Sequence, residues 1–147
     1  MEEAVGCLKR ILDGVTADLF ERYEWLKYYF APDFNSSVNY DGLEWEERAG
    51  RYLENFYSFF EEFAELYPPH GEGLDEILLY ILNRPQGDLR QKTISEELYI
   101  NRSYLSTVFT AQIGVNFVDY VNTVKMKRAA YLLKNTKMKI IVSISLK

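Results

Sequence analysis

From Glu2 to Phe30 the apolar positions Val5, Leu8, Leu12, Val15 and Leu19 recur every three or four residues, the spacing of one helix face. Gly6 and Gly14 weaken that helix slightly. The segment APDFNSSVNYDG, residues 31–42, is built of turn formers and predicts a loop. From Leu43 to Tyr67 the helical pattern is clearest. Ala49, Tyr52, Leu53, Phe56, Phe59, Phe60, Phe63, Leu66 and Tyr67 form a continuous apolar stripe, with Glu47, Glu54, Glu61, Glu62 and Glu65 opposite it. PPHGEG, at 68–73, predicts a linker between domains. Leu74, Ile77, Leu78, Ile81 and Leu82 then predict a helix that Pro85 stops. Leu89, Ile94 and Leu98 mark a short helix over Gln91–Tyr99.

The next stretch, NRSYLSTVFTAQIGVNFVDY, breaks the pattern. Asn101 suits a helix N-cap, and Leu105, Val108 and Phe109 give the following helix a buried side. Its other side carries Ser103, Ser106, Thr107 and Thr110. Gly114 suits the left-handed residue that ends a helix. Asn116, with Asp119 three residues on, caps another helix that is expected to reach Asn135. Phe117, Tyr120, Val121, Val124, Leu132 and Leu133 are its apolar positions, and Lys125, Lys127, Arg128 and Lys134 its basic ones. Two short helices, a tight turn and a small polar face make a helix-turn-helix pattern. Small hydroxyl side chains let a helix enter a major groove closely, while lysine and arginine nearby supply phosphate contacts. The plainer reading is a surface helix whose serines and threonines do nothing, and the pattern alone leaves both open.

Charge favours the first reading. The whole chain of 147 residues carries -5. Through Asn83 there are 18 acidic and 6 basic side chains; from Arg84 there are 4 acidic and 11 basic. A basic module therefore follows an acidic one. With 48% hydrophobic and 27% charged residues the chain is globular. Its single cysteine, Cys7, excludes an internal disulfide, suggests a reducing compartment and reads as a small core residue. An acidic N-terminus and the lack of a long apolar run predict a cytoplasmic protein outside the membrane.

Residues 74–140 carry a family resemblance. The matching elements are ELYIN, then YLS-x-x-F, the joint G-x-x-F-x-x-Y-x-N, and A-x-x-LL-x-x-T-x-x-K-I. This region resembles the DNA-binding domain of AraC/XylS-type bacterial transcription regulators, with the YesN-like response-regulator branch the nearest. The resemblance does not extend into the first seventy residues. It implies a helix-turn-helix (homeodomain-like) unit with a long connecting helix over 74–147, and with the two long helices read from spacing as an acidic helical hairpin over 1–67 the chain is expected to be all-α. It also implies sequence-specific transcriptional regulation through double-stranded DNA. Ser103, Ser106, Thr107 and Thr110 would face bases, Asn101 and Arg102 would lie at phosphate, and Lys125 and Arg128 would add charge. Leu98, Leu105, Phe109, Phe117, Tyr120 and Leu132 would be core.

Several positions depart from the family. Thr107 stands where a long polar residue is common, which removes a candidate bidentate guanine contact. Gln91 replaces a usual leucine and Ser95 a usual alanine, and both are expected to soften the first helix of the unit. The family continues into a second helix-turn-helix after Ile140, whereas this chain reads IVSISLK and stops. A truncation or a shifted reading frame is expected, and IIVSISL would be a loose strand or aggregation-prone tail.

The stripe at Tyr52, Phe56, Phe59, Phe60 and Phe63 needs cover, from its own chain or from a second copy in a homodimer. An interaction protein that pairs with a full-length regulator without touching DNA is the competing reading. Catalysis is not expected. His70, the only histidine, reads as a solvated loop residue, and no phosphate loop, zinc spacing or nucleophile motif is present. No metal or cofactor is expected, and an effector is left unspecified.

Overall fold

The computed structural model describes residues 1–33 and 40–136. The final K-I of the family pattern and the expected tail strand lie outside the described residues. Among the described residues every regular element is helical, and no helix is long and apolar enough to cross a membrane. The chain forms two compact units, Met1–Glu65 and Leu66–Lys147.

The first unit contains α1 (Glu2–Arg22), a 3₁₀ turn (Glu24–Tyr28) and most of α2 (Trp45–Leu66). The helix expected over Glu2–Phe30 breaks at Tyr23, whose backbone is extended (φ -116°, ψ 92°). Side-chain direction explains the break. A straight helix would place Trp25 nearly opposite the Val5–Leu12–Thr16 face. The break turns Trp25 and Leu26 inward instead, and both are wholly buried. Thr16 takes the buried place expected of Val15 by donating its hydroxyl to the Leu12 carbonyl (2.8 Å). Cys7 is exposed, not a core residue, because it lies off the face that Val5 and Leu12 bury.

The hairpin expectation also needs correcting in its direction. Glu2 pairs with Arg48, Val5 and Leu12 cluster with Tyr52, Phe20 meets Phe59, and Tyr23 meets Phe63. The partners advance together, so α1 and α2 run the same way. A hairpin would pair the start of one with the end of the other. The aromatic stripe is covered from within this unit. Phe59 lies 4.9 Å from the Phe30 ring, and Phe63 stacks on Trp25 at 5.4 Å, both between centroids. Tyr52 and Phe59 are buried, while Phe56, Phe60 and Phe63 are half-buried.

The second unit contains α3 (Asp75–Leu82), α4 (Gln91–Glu97), α5 (Arg102–Ile113) and α6 (Phe117–Asn135). Leu66, Leu74, Leu78, Ile81, Leu82, Ile94, Leu105 and Phe109 are its wholly buried apolar side chains among the described residues, with Val124. The Phe109 ring meets Phe117 at 5.5 Å and Tyr120 at 5.1 Å, which seats α6 on α5. Leu98 is only half-buried, and Leu133, an expected apolar position of α6, is exposed. Residues 66–73 are tied to this unit. The Tyr120 hydroxyl donates to the Leu66 carbonyl, and the Gly71 amide donates to Gln112 Oε1 (2.9 Å).

Candidate nucleic-acid interface

The turn between α4 and α5 starts from a helix ending that normally asks for glycine. The Ile100 amide donates to the Ser95 carbonyl (2.9 Å), and the Tyr99 amide to the Glu96 carbonyl (3.4 Å). This pair of bonds closes a helix through a left-handed residue. Tyr99 fills that place at φ 56°, the one non-glycine residue with positive φ among those described. Its side chain is 95% exposed, so no packing holds it there.

At the other side of the turn Asn101 caps α5. Its side-chain oxygen accepts from the Ser103 amide (2.8 Å) and the Tyr104 amide (3.3 Å). The helix then buries Leu105 and Phe109 and ends at Gly114, whose φ of 83° is left-handed. Asn116 caps α6 by accepting from the Asp119 amide (2.9 Å) and donating to the Asp119 carboxylate (2.6 Å). The Asn101 cap and the Gly114 stop fix α5 at its ends.

At helical spacing, Ser103, Thr107 and Thr110 lie opposite the Leu105–Phe109 side, and all three are exposed. Ser106 is exposed too, but on the flank toward α4, where Gln91 reaches it. Gln91 Nε2 donates to Ser106 Oγ (2.7 Å) and to the Arg102 carbonyl (3.1 Å). Gln91 therefore ties α4 to α5, where a softer helix was expected. Ser95 is likewise satisfied: it is 4% exposed and donates its hydroxyl to the Gln91 carbonyl (2.7 Å). Sequence reasoning missed this clasp, since no periodicity reports a contact between different helices. It also missed Tyr104, which is 53% exposed on α5.

The charges are placed unevenly. Arg102 is the only cation on α5, and it is exposed. On α6 Lys125 is exposed, while Arg128 is half-buried with its guanidinium 5.4 Å from the Tyr131 ring centre. Arg90 is committed to Asp88 through its side-chain nitrogens (2.9 and 2.5 Å). Those bonds, with the Arg90 amide and the Thr93 hydroxyl, hold the Asp88 carboxyl well below the usual carboxylate range. His70 is not a solvated loop side chain. Its Nδ1 lies 2.7 Å from the Pro68 carbonyl and its Nε2 3.3 Å from Asp75, beside the Tyr67 ring.

No family profile matches the chain, and no solved structure matches it. Two known proteins do. Over 90 residues it is 27% identical to an uncharacterized HTH-type transcriptional regulator, YfiF, of Bacillus subtilis; the match takes in 60% of this chain and 29% of that protein. Over 52 residues it is 38% identical to the Msm operon regulatory protein of Streptococcus mutans, covering 35% of this chain and 19% of that one. The chain thus spans less than a third of the length of the relatives it matches.

Proposed function

We propose that this chain is a DNA-binding transcriptional regulator of the AraC/XylS type, in the YesN-like branch, with α5 entering the major groove. The observation that carries the reading is α5 itself. It is capped at Asn101, stopped at Gly114, anchored by Leu105 and Phe109, and exposes Ser103, Thr107 and Thr110 together. A rigid helix with short polar side chains outward suits close approach to base edges. Similarity to two transcriptional regulators supports the same reading. Arg102 at the first turn, with Lys125 and Arg128 on α6, would supply the phosphate contacts. Tyr52 and Phe59 are already buried within one chain, so the proposal needs no second copy at the aromatic stripe.

The test is fluorescence anisotropy of a labelled mixed-sequence duplex, titrated at low and near-physiological salt. Binding that weakens steeply as salt rises is the expected result. Thr107→Arg, which adds a cation to the groove face, should tighten binding and steepen the salt dependence. A folded protein that binds no duplex even at low salt would sink the proposal. The reading of an interaction protein would then lead.

A further inference from the structure

Several serine and threonine hydroxyls bond back to the helix they lie on or end. Thr16, Ser95, Thr123 and Thr136 each donate the side-chain hydroxyl to the carbonyl four residues back, at 2.8, 2.7, 3.1 and 2.6 Å. For Ser106 that carbonyl belongs to Arg102, and Gln91 Nε2 already donates to it. The same nitrogen donates to Ser106 Oγ. Both amide hydrogens of Gln91 are thereby used, one on each oxygen. The amide cannot be turned round, because Gln91 Oε1 would then face the Arg102 carbonyl, which only accepts. Ser106 Oγ thus accepts on its protein side, and with the Arg102 carbonyl already engaged by Gln91 its hydrogen is left for a partner outside the helix. The side chain is exposed.

We infer that Gln91 is a positioning residue for DNA recognition, holding Ser106 so that its hydroxyl donates to an acceptor atom of the duplex. The inference rests on the DNA-binding reading above. Two classes of acceptor fit: base-edge atoms of the major groove and phosphate oxygens. Leucine at 91 would release the Arg102 carbonyl. Ser106 would then be free to bond back to its own helix, as Thr16, Ser95 and Thr123 do, and its hydrogen would no longer face the duplex.

The experiment is a double-mutant cycle of Gln91→Leu and Ser106→Ala, read as affinity for a labelled mixed-sequence duplex at low salt, with thermal melting as the folding control. Ser106→Ala should weaken binding roughly two- to tenfold, the worth of one net hydrogen bond. Gln91→Leu should weaken it in the wild-type background and leave it unchanged in the Ser106→Ala background. A merely structural Gln91 would cost the same in both, and that result overturns the inference. So does a Ser106→Ala protein that binds as tightly as wild type. Repeating the Ser106→Ala comparison on duplex with methylphosphonates along one strand and then the other separates the acceptors. A loss that vanishes on either assigns the phosphate, and a loss that persists on both assigns the base edge. If the wild-type protein shows no salt-dependent binding at all, the DNA-binding reading itself fails and the inference falls with it.

Discussion

Tyr99 and Gly114 occupy the same backbone region for opposite reasons. Gly114 sits at φ 83° with nothing within 4 Å of an added Cβ, so any cost of a side chain there is conformational. Gly114→Ala should destabilise the protein by about 1 kcal/mol. Tyr99 bears that strain already, at φ 56° and without packing to offset it. Asparagine tolerates the left-handed region far better than a bulky aromatic residue. Tyr99→Asn should therefore raise the urea midpoint, by up to about 1 kcal/mol of stability. An unchanged or lowered midpoint would mean that Tyr99 has compensating contacts. Gly114 and the asparagine caps were legible in the sequence, since each satisfies a requirement set by its nearest neighbours. Tyr99 was not, because tyrosine carries no turn signal.

Among the elements, α4 depends most on chemistry outside its own turns. It is seven residues long, so its propensity contributes little. Asp88 supports its start by accepting from the Arg90 amide (3.0 Å), the Arg90 guanidinium and the Thr93 hydroxyl (2.8 Å). Its depressed carboxyl pKa fixes the sign of the pH dependence. The stabilising contribution is complete above the ordinary carboxylate range and is lost as pH falls through the depressed value. Asp88→Asn should melt below wild type at neutral pH, and the gap should close in strong acid. A gap that stays constant with pH would show that charge plays no part. The existence of α3, α5 and α6 could be read from spacing, because each buries a single stripe. The break at Tyr23 and the common direction of α1 and α2 could not. Periodicity reports which side is apolar, and never which partner covers it or which way that partner runs.

For the molecule as a whole, charge and structure divide the chain at different places. The sign of the charge changes near Arg84, while the compact units meet between Glu65 and Leu66. PPHGEG looks like a flexible joint by composition. Yet His70 is bonded to Pro68 and Asp75, Gly71 to Gln112, and just before the segment Leu66 to Tyr120. A side chain 41 residues away holds Gly71, which composition cannot record. The Gly71 bond has a consequence in time as well as in space. A loop amide in water exchanges its hydrogen for deuterium quickly, but this one is slowed for as long as the Gln112 side chain holds it. Its deuterium uptake is thus a clock for the release of that contact. Gln112→Ala should set it running at the free-chain rate while the amide of Leu105, deep in α5, keeps its own slow pace.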